Sequence, residues 1–132
     1  MKEITYEELT KLKKDSYVLI DIRDEGLRAY GTIPGALAMD PAEDPEGFKN
    51  MISEIPVEKK LILYCEIGRK SRELDEDVLL PGRDCYSLEG GYIAYVRSKM
   101  TDESAMEEKK HRAEESIRKK YHKQLFTPFA KA

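Results

Sequence analysis

The sequence predicts an α/β fold with a mostly parallel β-sheet, followed by a charged helical extension. Three short runs rich in apolar residues, 17–20, 61–64 and 85–88, are typical of buried strands. Segments of helical character separate these runs, and strands that alternate with helices indicate parallel βαβ units. From residue 101 the composition changes to dense charges of both signs, which predicts a further helical element.

Composition narrows the classes of protein to which the chain can belong. The 132 residues suffice for one domain with a real core, and the net charge of -3 offers no basic surface for nucleic acid. The acidic, polar first residues do not resemble a signal peptide, and no apolar run approaches membrane-spanning length. Two cysteines without metal-ligand spacing predict neither a disulfide framework nor a metal or cofactor, so we expect a cytoplasmic protein.

The first half is predicted to contain two helical segments around one strand. Thr5 and Glu8 form a capping box, so a short helix is expected to follow and to end near residues 13–14. The run 17–20 then forms a buried strand. Residues 24–30 can form one or two helical turns before a glycine, and a turn with a short extended piece follows.

The second half is predicted to contain three helices before the extension. Pro45 can occupy the first turn of a helix that reaches about Ile55, and Pro56 then ends it. After the strand 61–64, a helix is expected from about Lys70 to Leu80. Another helix is expected directly after the pair Gly90–Gly91.

The C-terminal residues 101–132 are predicted to form a helical extension to a domain of residues 1–100. Thr101 is a suitable N-cap, and acid-first pairs such as Glu108 and Arg112 support an exposed helix. A narrow apolar stripe remains, which could pack weakly on the domain or against a second copy of the chain as a homodimer. The stripe consists of Met106, Ala113, Ile117, Tyr121 and Leu125.

Cys65 is the strongest candidate for a functional residue, because it directly follows a buried strand and precedes a turn that contains Gly68. Backbone amides of a tight loop and of a helix N-terminus favour a negative charge, lower the pKa of a thiol and make it nucleophilic. Arg69, Lys70 and Arg72 could attract an anionic donor, or they are ordinary surface cations. The alternative is that Cys65 is a small buried residue that only packs.

Other chemistry-bearing residues are expected near Cys65. Ligand sites of parallel sheets lie beyond the carboxyl ends of the strands, where Asp21, Cys65 and the loop after Leu88 fall. These three positions can therefore converge on one crevice. Cys85 lies inside the third predicted strand, so we expect it to pack in the core.

Four segments occur in an order that resembles single-domain rhodanese-like proteins, a family of sulfurtransferases. They are 18–23 (Val-Leu-Ile-Asp-Ile-Arg), 31–36 (Gly-Thr-Ile-Pro-Gly-Ala), 63–71 (Leu-Tyr-Cys-Glu-Ile-Gly-Arg-Lys-Ser) and 88–91 (Leu-Glu-Gly-Gly). The resemblance extends over about residues 4–99, and the C-terminal extension lies outside it.

The resemblance implies a small doubly wound sheet and a sulfurtransferase with Cys65 as catalytic nucleophile. The thiolate would take a sulfane sulfur from a small donor such as thiosulfate, and a thiol or cyanide acceptor would then remove it from the Cys65 persulfide. Asp21 and Arg23 match family positions that support the loops beneath the site. The active-site loop that would bind substrate consists of Glu66, Ile67, Gly68, Arg69, Lys70 and Ser71.

Several positions depart from the family pattern and leave alternatives open. Glu66 stands where many thiosulfate-using members have a basic residue, so its carboxylate would repel thiosulfate and could raise the thiol pKa. Leu27 and Arg28 replace a usual acidic–aromatic pair. The alternatives are a non-catalytic or regulatory binding module and a persulfide carrier for a partner protein. A cysteine-dependent phosphatase is less supported, because Ser71 stands where its phosphate-binding arginine would be.

Overall fold

The computed structural model describes residues 1–74 and 79–125. The described residues form a five-stranded sheet in the order β1-β5-β4-β2-β3, and every neighbouring pair is parallel. The predicted α/β class with a parallel sheet is therefore confirmed. The strands are β1 (Lys2–Ile4), β2 (Tyr17–Asp21), β3 (Leu37–Ala38), β4 (Lys60–Tyr64) and β5 (Cys85–Leu88).

The first three α-helices begin where the sequence provides caps. The capping box of Thr5 and Glu8 is present, the Asp24 side chain caps the next helix by accepting from the Leu27 amide, and Pro45 begins a third. A short 3₁₀ helix also precedes β2. The α-helices are α1 (Tyr6–Thr10), α2 (Glu25–Arg28), α3 (Pro45–Glu54), α4 (Arg69–Arg72) and α5 (Gly91–Leu125).

Three predicted helix boundaries are wrong. The first helix, expected to end near residues 13–14, ends at Thr10. The helix expected over Lys70–Leu80 is interrupted, because α4 ends at Arg72 and Glu73 leaves the helical conformation with φ of -92° and ψ of 3°. Leu74, which follows, is not helical and packs against the core. Residues 75–78 of that prediction lie outside the described residues. Thr101 is not an N-cap, because α5 continues through it from Gly91. The sequence has no glycine or proline between Tyr92 and Gln124 that would stop the helix.

The sheet buries apolar side chains on both faces. Along β4, Leu61 and Leu63 pack in one cluster that includes Phe48 of α3, whereas Ile62 and Tyr64 pack in another on the opposite face. All five of these side chains are fully buried. Each contributes roughly 1.5–3 kcal/mol from burial of apolar surface, which fixes the register of β4 and the position of the residue after it.

The chain divides into two compact units, residues 1–97 and residues 98–132. In the second unit the Glu108 and Arg112 side chains form an ion pair of 2.6 Å. Ala113 and Ile117 of the apolar stripe are exposed, and the side chains of Met106, Tyr121 and Leu125 lie outside the described ones. None of the helices in the described ranges is long and apolar enough to span a membrane.

Candidate active site

Cys65 lies directly after β4, at a pocket of about 190 Å³ on the carboxyl side of the sheet. Cys65 is only 3% exposed, and it forms part of the lining of this pocket. The other residues that line the pocket come from the segment after β2 and from the loop after β4. They are Arg23, Asp24, Leu27, Glu66, Ile67, Arg69 and Lys70.

The sulfur of Cys65 is surrounded by hydrogen-bond donors. The Gly68 amide donates to Sγ over 3.1 Å, and the Ser71 amide and hydroxyl lie at 3.5 Å. Burial acts to raise the pKa of the Cys65 thiol, but the hydrogen bonds of Ser71, Gly68 and the Lys70 amide outweigh it. The pKa of Cys65 is therefore lowered from its ordinary value, which increases the thiolate fraction near neutral pH.

In the loop after β4, backbone carbonyl groups and backbone amide groups point in different directions. The carbonyl groups of Cys65 and Glu66 face the start of α5, because they accept hydrogen bonds from the Tyr92 amide over 2.8 Å and the Ile93 amide over 3.1 Å. Gly68 has a φ of 89°, a left-handed conformation that glycine adopts without strain. The chain thus turns sharply at Gly68 and directs amides of the following residues towards the sulfur.

Glycines allow this loop and the start of α5 to meet backbone against backbone. A Cβ on Gly91 would lie 2.4 Å from the Cys65 carbonyl oxygen and 2.7 Å from the Gly68 nitrogen. A Cβ on Gly68 would lie 2.9 Å from the Gly90 nitrogen. The two segments therefore have no room for a side chain between them.

Ser87 is part of the site, although sequence reasoning did not single it out. Its hydroxyl lies 2.6 Å from the hydroxyl of Ser71, and both side chains are fully buried. Ser87 pairs with Leu63 in the β4–β5 register. A serine inside an otherwise apolar strand was the available signal, since a buried hydroxyl requires a partner.

Arg23 connects the segments around the pocket. Its guanidinium donates to Asp21 at 2.9 Å, to the Gly31 carbonyl at 2.6 Å and to Glu66 at 3.3 Å, and it lies 4.1 Å from the Tyr92 ring centre. Burial acts to lower the pKa of Arg23, yet the hydrogen bonds and charges of its carboxylate partners raise it overall. Arg23 is consequently a permanent buried cation that holds Glu66.

Tyr64 supports the same network from beneath. Its hydroxyl donates to the Asp21 carboxylate over 2.8 Å and accepts from the Ile33 amide over 3.1 Å. Burial raises the pKa of Tyr64, so the phenol stays protonated and remains a donor. The strand containing Tyr64 was predicted, but the role of its hydroxyl was not, because the partners are far away in sequence.

The predicted site residues occupy different positions around the sulfur. Gly68 and Ser71 contact it, Asp21 lies behind Arg23, and the remaining loop residues line the pocket. Arg72 is not among the lining residues and pairs instead with Glu3 of β1 at 3.5 Å.

Cys85 does not fit a role as resolving cysteine. It pairs with Leu61, four positions before Cys65 on β4, which corresponds to about 13 Å along the strand. A disulfide needs Cα atoms within about 7 Å of each other. Burial raises the pKa of the Cys85 thiol, and its side chain packs against the core.

Comparison with known proteins identifies the family. The sequence profile of the rhodanese-like domain matches residues 5–98. A sulfurtransferase from Allochromatium vinosum is 31% identical over 100 residues, which cover 74% of this chain and 90% of that protein.

Solved structures with this fold include a rhodanese-related protein from Thermoplasma volcanium, with a TM-score of 0.62, 20% identity, and coverage of 74% of this chain and 93% of that one. The human single-domain sulfurtransferase has a TM-score of 0.58 and 23% identity, and the match covers 74% of this chain and 96% of that one. The resemblance predicted from the four segments is confirmed, and the chain belongs to the rhodanese-like domain family.

Proposed function

We propose that the protein is a sulfurtransferase in which Cys65 transfers a sulfane sulfur from a donor such as thiosulfate to a thiol or cyanide acceptor. The observation that supports this most is the buried sulfur of Cys65 with donors from Gly68 and Ser71 around it, beside a pocket. Both cysteines are free thiols, which fits a reducing compartment such as the cytoplasm.

The proposed reaction has two steps. The Cys65 thiolate attacks the outer sulfur of the donor, a new sulfur–sulfur bond forms, and the donor's own sulfur–sulfur bond breaks. With thiosulfate the bonding electron pair leaves with sulfite, and Cys65 becomes a persulfide. An acceptor thiolate or cyanide then attacks the outer sulfur and restores the Cys65 thiolate, so ping-pong kinetics are expected.

The loop amides have a task in both steps. They favour the thiolate before transfer, and afterwards they can hold the negative charge of the persulfide as an oxyanion hole holds its oxygen. Arg69 and Lys70 line the pocket and can attract an anionic donor, whereas Arg72 pairs with Glu3. We assign Asp21 and Arg23 a supporting role, because their contacts fix Glu66 and the neighbouring segments rather than the sulfur.

Intact-protein mass spectrometry after incubation with thiosulfate tests the proposal. The wild type and the Cys85→Ser variant should each gain one sulfur atom, which a reductant removes, and the Cys65→Ser variant should gain none. If the wild type gained no sulfur from any sulfane donor, the sulfurtransferase assignment would be contradicted.

The same assay separates the alternatives. A persulfide carrier for a partner protein would load sulfur but release none to cyanide or small thiols. A non-catalytic binding module would not load at all. Turnover of an aryl phosphate would indicate a phosphatase, which lacks support because Ser71, and not an arginine, stands at the sixth position after Cys65.

A further inference from the structure

We infer that the Cys65 pocket selects a sulfane donor that carries an apolar organic group and at most one negative charge, in preference to inorganic thiosulfate. This inference rests on the proposed sulfur transfer and specifies its donor. The chemical class is an organic thiosulfonate or an organic hydropersulfide, which share a sulfane sulfur attached through one sulfur–sulfur bond to a carbon-bearing group.

The first argument is the apolar surface around the sulfur. Leu27 and Ile67 are 39% and 64% exposed, and both line the small pocket beside Cys65. Leu27 is held at this position because its amide donates to Asp24 over 2.9 Å at the start of α2. An inorganic dianion would leave both side chains in water, whereas an organic group could cover them and gain from their desolvation.

The second argument is the charge of the pocket. Arg23 is already neutralised by Asp21 and Glu66, and Arg69 lies 3.7 Å from the Glu73 carboxylate. Within the lining alone, without Asp21 and Glu73, three cationic and two acidic side chains leave a surplus of one positive charge, which complements a monoanion better than a dianion. The charged residues of the lining are Arg23, Asp24, Glu66, Arg69 and Lys70.

Glu66 contributes to this selection through its fixed position. The contact of 3.3 Å with Arg23 keeps a carboxylate beside the pocket instead of letting it swing into solvent. A sulfonate group approaching Cys65 therefore meets a negative charge that cannot retreat without breaking an ion pair with a buried cation.

Both donor types give a balanced transfer. With a thiosulfonate, the Cys65 thiolate attacks the terminal sulfur, and the donor's sulfur–sulfur bond breaks so that a sulfinate leaves with the electron pair. With a hydropersulfide, the thiolate attacks the terminal SH sulfur, the proton stays on the transferred sulfur, and an organic thiolate leaves. Each reaction converts Cys65 to its persulfide and needs no further reactant.

The test compares the rates at which four donors load Cys65: thiosulfate, methanethiosulfonate, benzenethiosulfonate and benzyl hydropersulfide. Each rate constant is divided by that of the same donor with a small free thiol, which removes intrinsic reactivity. We expect benzenethiosulfonate to exceed thiosulfate by about tenfold or more, with methanethiosulfonate between them. The normalised rate for benzyl hydropersulfide, compared with that for benzenethiosulfonate, shows which of the two donor types the pocket favours.

Variants assign the preference to residues. Leu27→Ser and Ile67→Ser should each lower the ratio of the benzenethiosulfonate loading rate to the thiosulfate loading rate by about five- to tenfold. Leu37→Ser is the matched control, because Leu37 is 42% exposed but lies on β3 outside this pocket. Glu66→Gln keeps a hydrogen-bond acceptor and should raise thiosulfate loading by about threefold.

The outcomes separate the two claims. Normalised rates that favour thiosulfate, or an Ile67→Ser variant with an unchanged donor preference, would overturn the inference while leaving the sulfurtransferase assignment intact. Failure of all four donors to load Cys65 would overturn the proposed function itself.

Discussion

At the scale of single residues, the hydroxyl of Ser71 has one proton to donate but three possible acceptors. It lies 3.5 Å from the Cys65 sulfur, 3.4 Å from the Gly68 carbonyl oxygen and 2.6 Å from the Ser87 hydroxyl. When Cys65 is ionised, the Ser71 proton is best directed at the sulfur, and Ser87 can then donate to the Ser71 oxygen. Ser87 thus acts on the thiolate only through Ser71.

Replacing Ser87 tests this arrangement. Ser87→Ala should reduce the iodoacetamide alkylation rate of Cys65 at neutral pH by about threefold and Ser71→Ala by about tenfold, because a hydrogen bond to an ionised group is lost or weakened. The rate–pH profile of each variant should move to higher pH. The double variant should match Ser71→Ala alone, and additive losses would show that Ser87 acts independently.

A second prediction at this scale concerns the buried ion pair of Asp21. Asp21→Ala should lower the free energy of unfolding by about 3–5 kcal/mol, because it leaves Arg23 buried without its main partner. Asp84→Ala is the matched control: Asp84 also pairs with cations, but its side chain is 38% exposed, so about 1 kcal/mol or less is expected. Urea denaturation measures both, and equal losses would contradict the assignment of Asp21.

At the scale of elements, the start of α5 positions the cysteine loop. The first turn of a helix has unpaired amides, and here those of Tyr92 and Ile93 bind the carbonyls of Cys65 and Glu66. The helix therefore fixes the outer side of the loop, and the inner amides remain free for the sulfur. This division of donors is the physical reason that backbone amides and the Ser71 hydroxyl lower the pKa of the Cys65 thiol.

Gly91 is the residue on which this contact depends. Gly91→Ala should reduce the free energy of unfolding by about 3 kcal/mol or more, because the new methyl group would overlap backbone atoms of the loop. Gly35→Ala is the control, since Gly35 also has a positive φ but nothing within 4 Å of the added Cβ. That variant should lose only about 1–2 kcal/mol from backbone strain. Similar losses in denaturant unfolding would contradict the close approach at Gly91.

At the scale of the whole molecule, the sequence predicted the elements that bury a continuous apolar run. β2, β4 and β5 follow from such runs, and α1 and α3 follow from their caps. Of the two edge strands, β1 was not predicted and β3 was predicted only as a short extended piece, because they have three and two residues and mostly exposed side chains. Only pairing with their neighbours makes them strands.

The candidate site was predictable in part for a similar reason. The position of Cys65 and the tight loop follow from local sequence, and the family resemblance adds Asp21 and Arg23. The partners Ser87 and Tyr64 contact the site from separate strands, so no local pattern contains them. The orientation of Glu66 towards Arg23 likewise depends on a contact between residues 43 positions apart.

Residues 101–132 lie outside the segment that the family profile matches. We expect a chain truncated after residue 100 to keep the sulfur-loading rate of the full chain within about twofold, since the hydrogen bonds to the Cys65 sulfur that the structure describes come from Gly68 and Ser71, within residues 1–97. Sedimentation at several concentrations, with and without the extension, tests the proposed homodimer. A dimer that persists after truncation would exclude the extension as the dimer interface. Loss of sulfur loading after truncation would contradict the prediction that the extension is not needed for the chemistry of Cys65.

The hydrogen bonds to the Cys65 sulfur also link proton release to folding. The unfolded chain lacks these donors, so its thiol has an ordinary pKa near 8.5, above the pKa of the folded state. Between the two values only the unfolded chain keeps the proton, so stability rises with pH, and this contribution is lost as pH falls through the folded pKa.

In a Cys85→Ser background, the stability of the Cys65 protein relative to its Cys65→Ser variant should therefore increase as the pH rises towards the pKa of the unfolded thiol near 8.5. A constant difference in free energy of unfolding would mean that the donors do not favour the thiolate. If the difference does increase with pH, the loop that makes the sulfur reactive also makes the ionised thiol a stabilising group of the native state. Blocking the Cys65 sulfur with a neutral alkyl group should then make the fold less stable at alkaline pH.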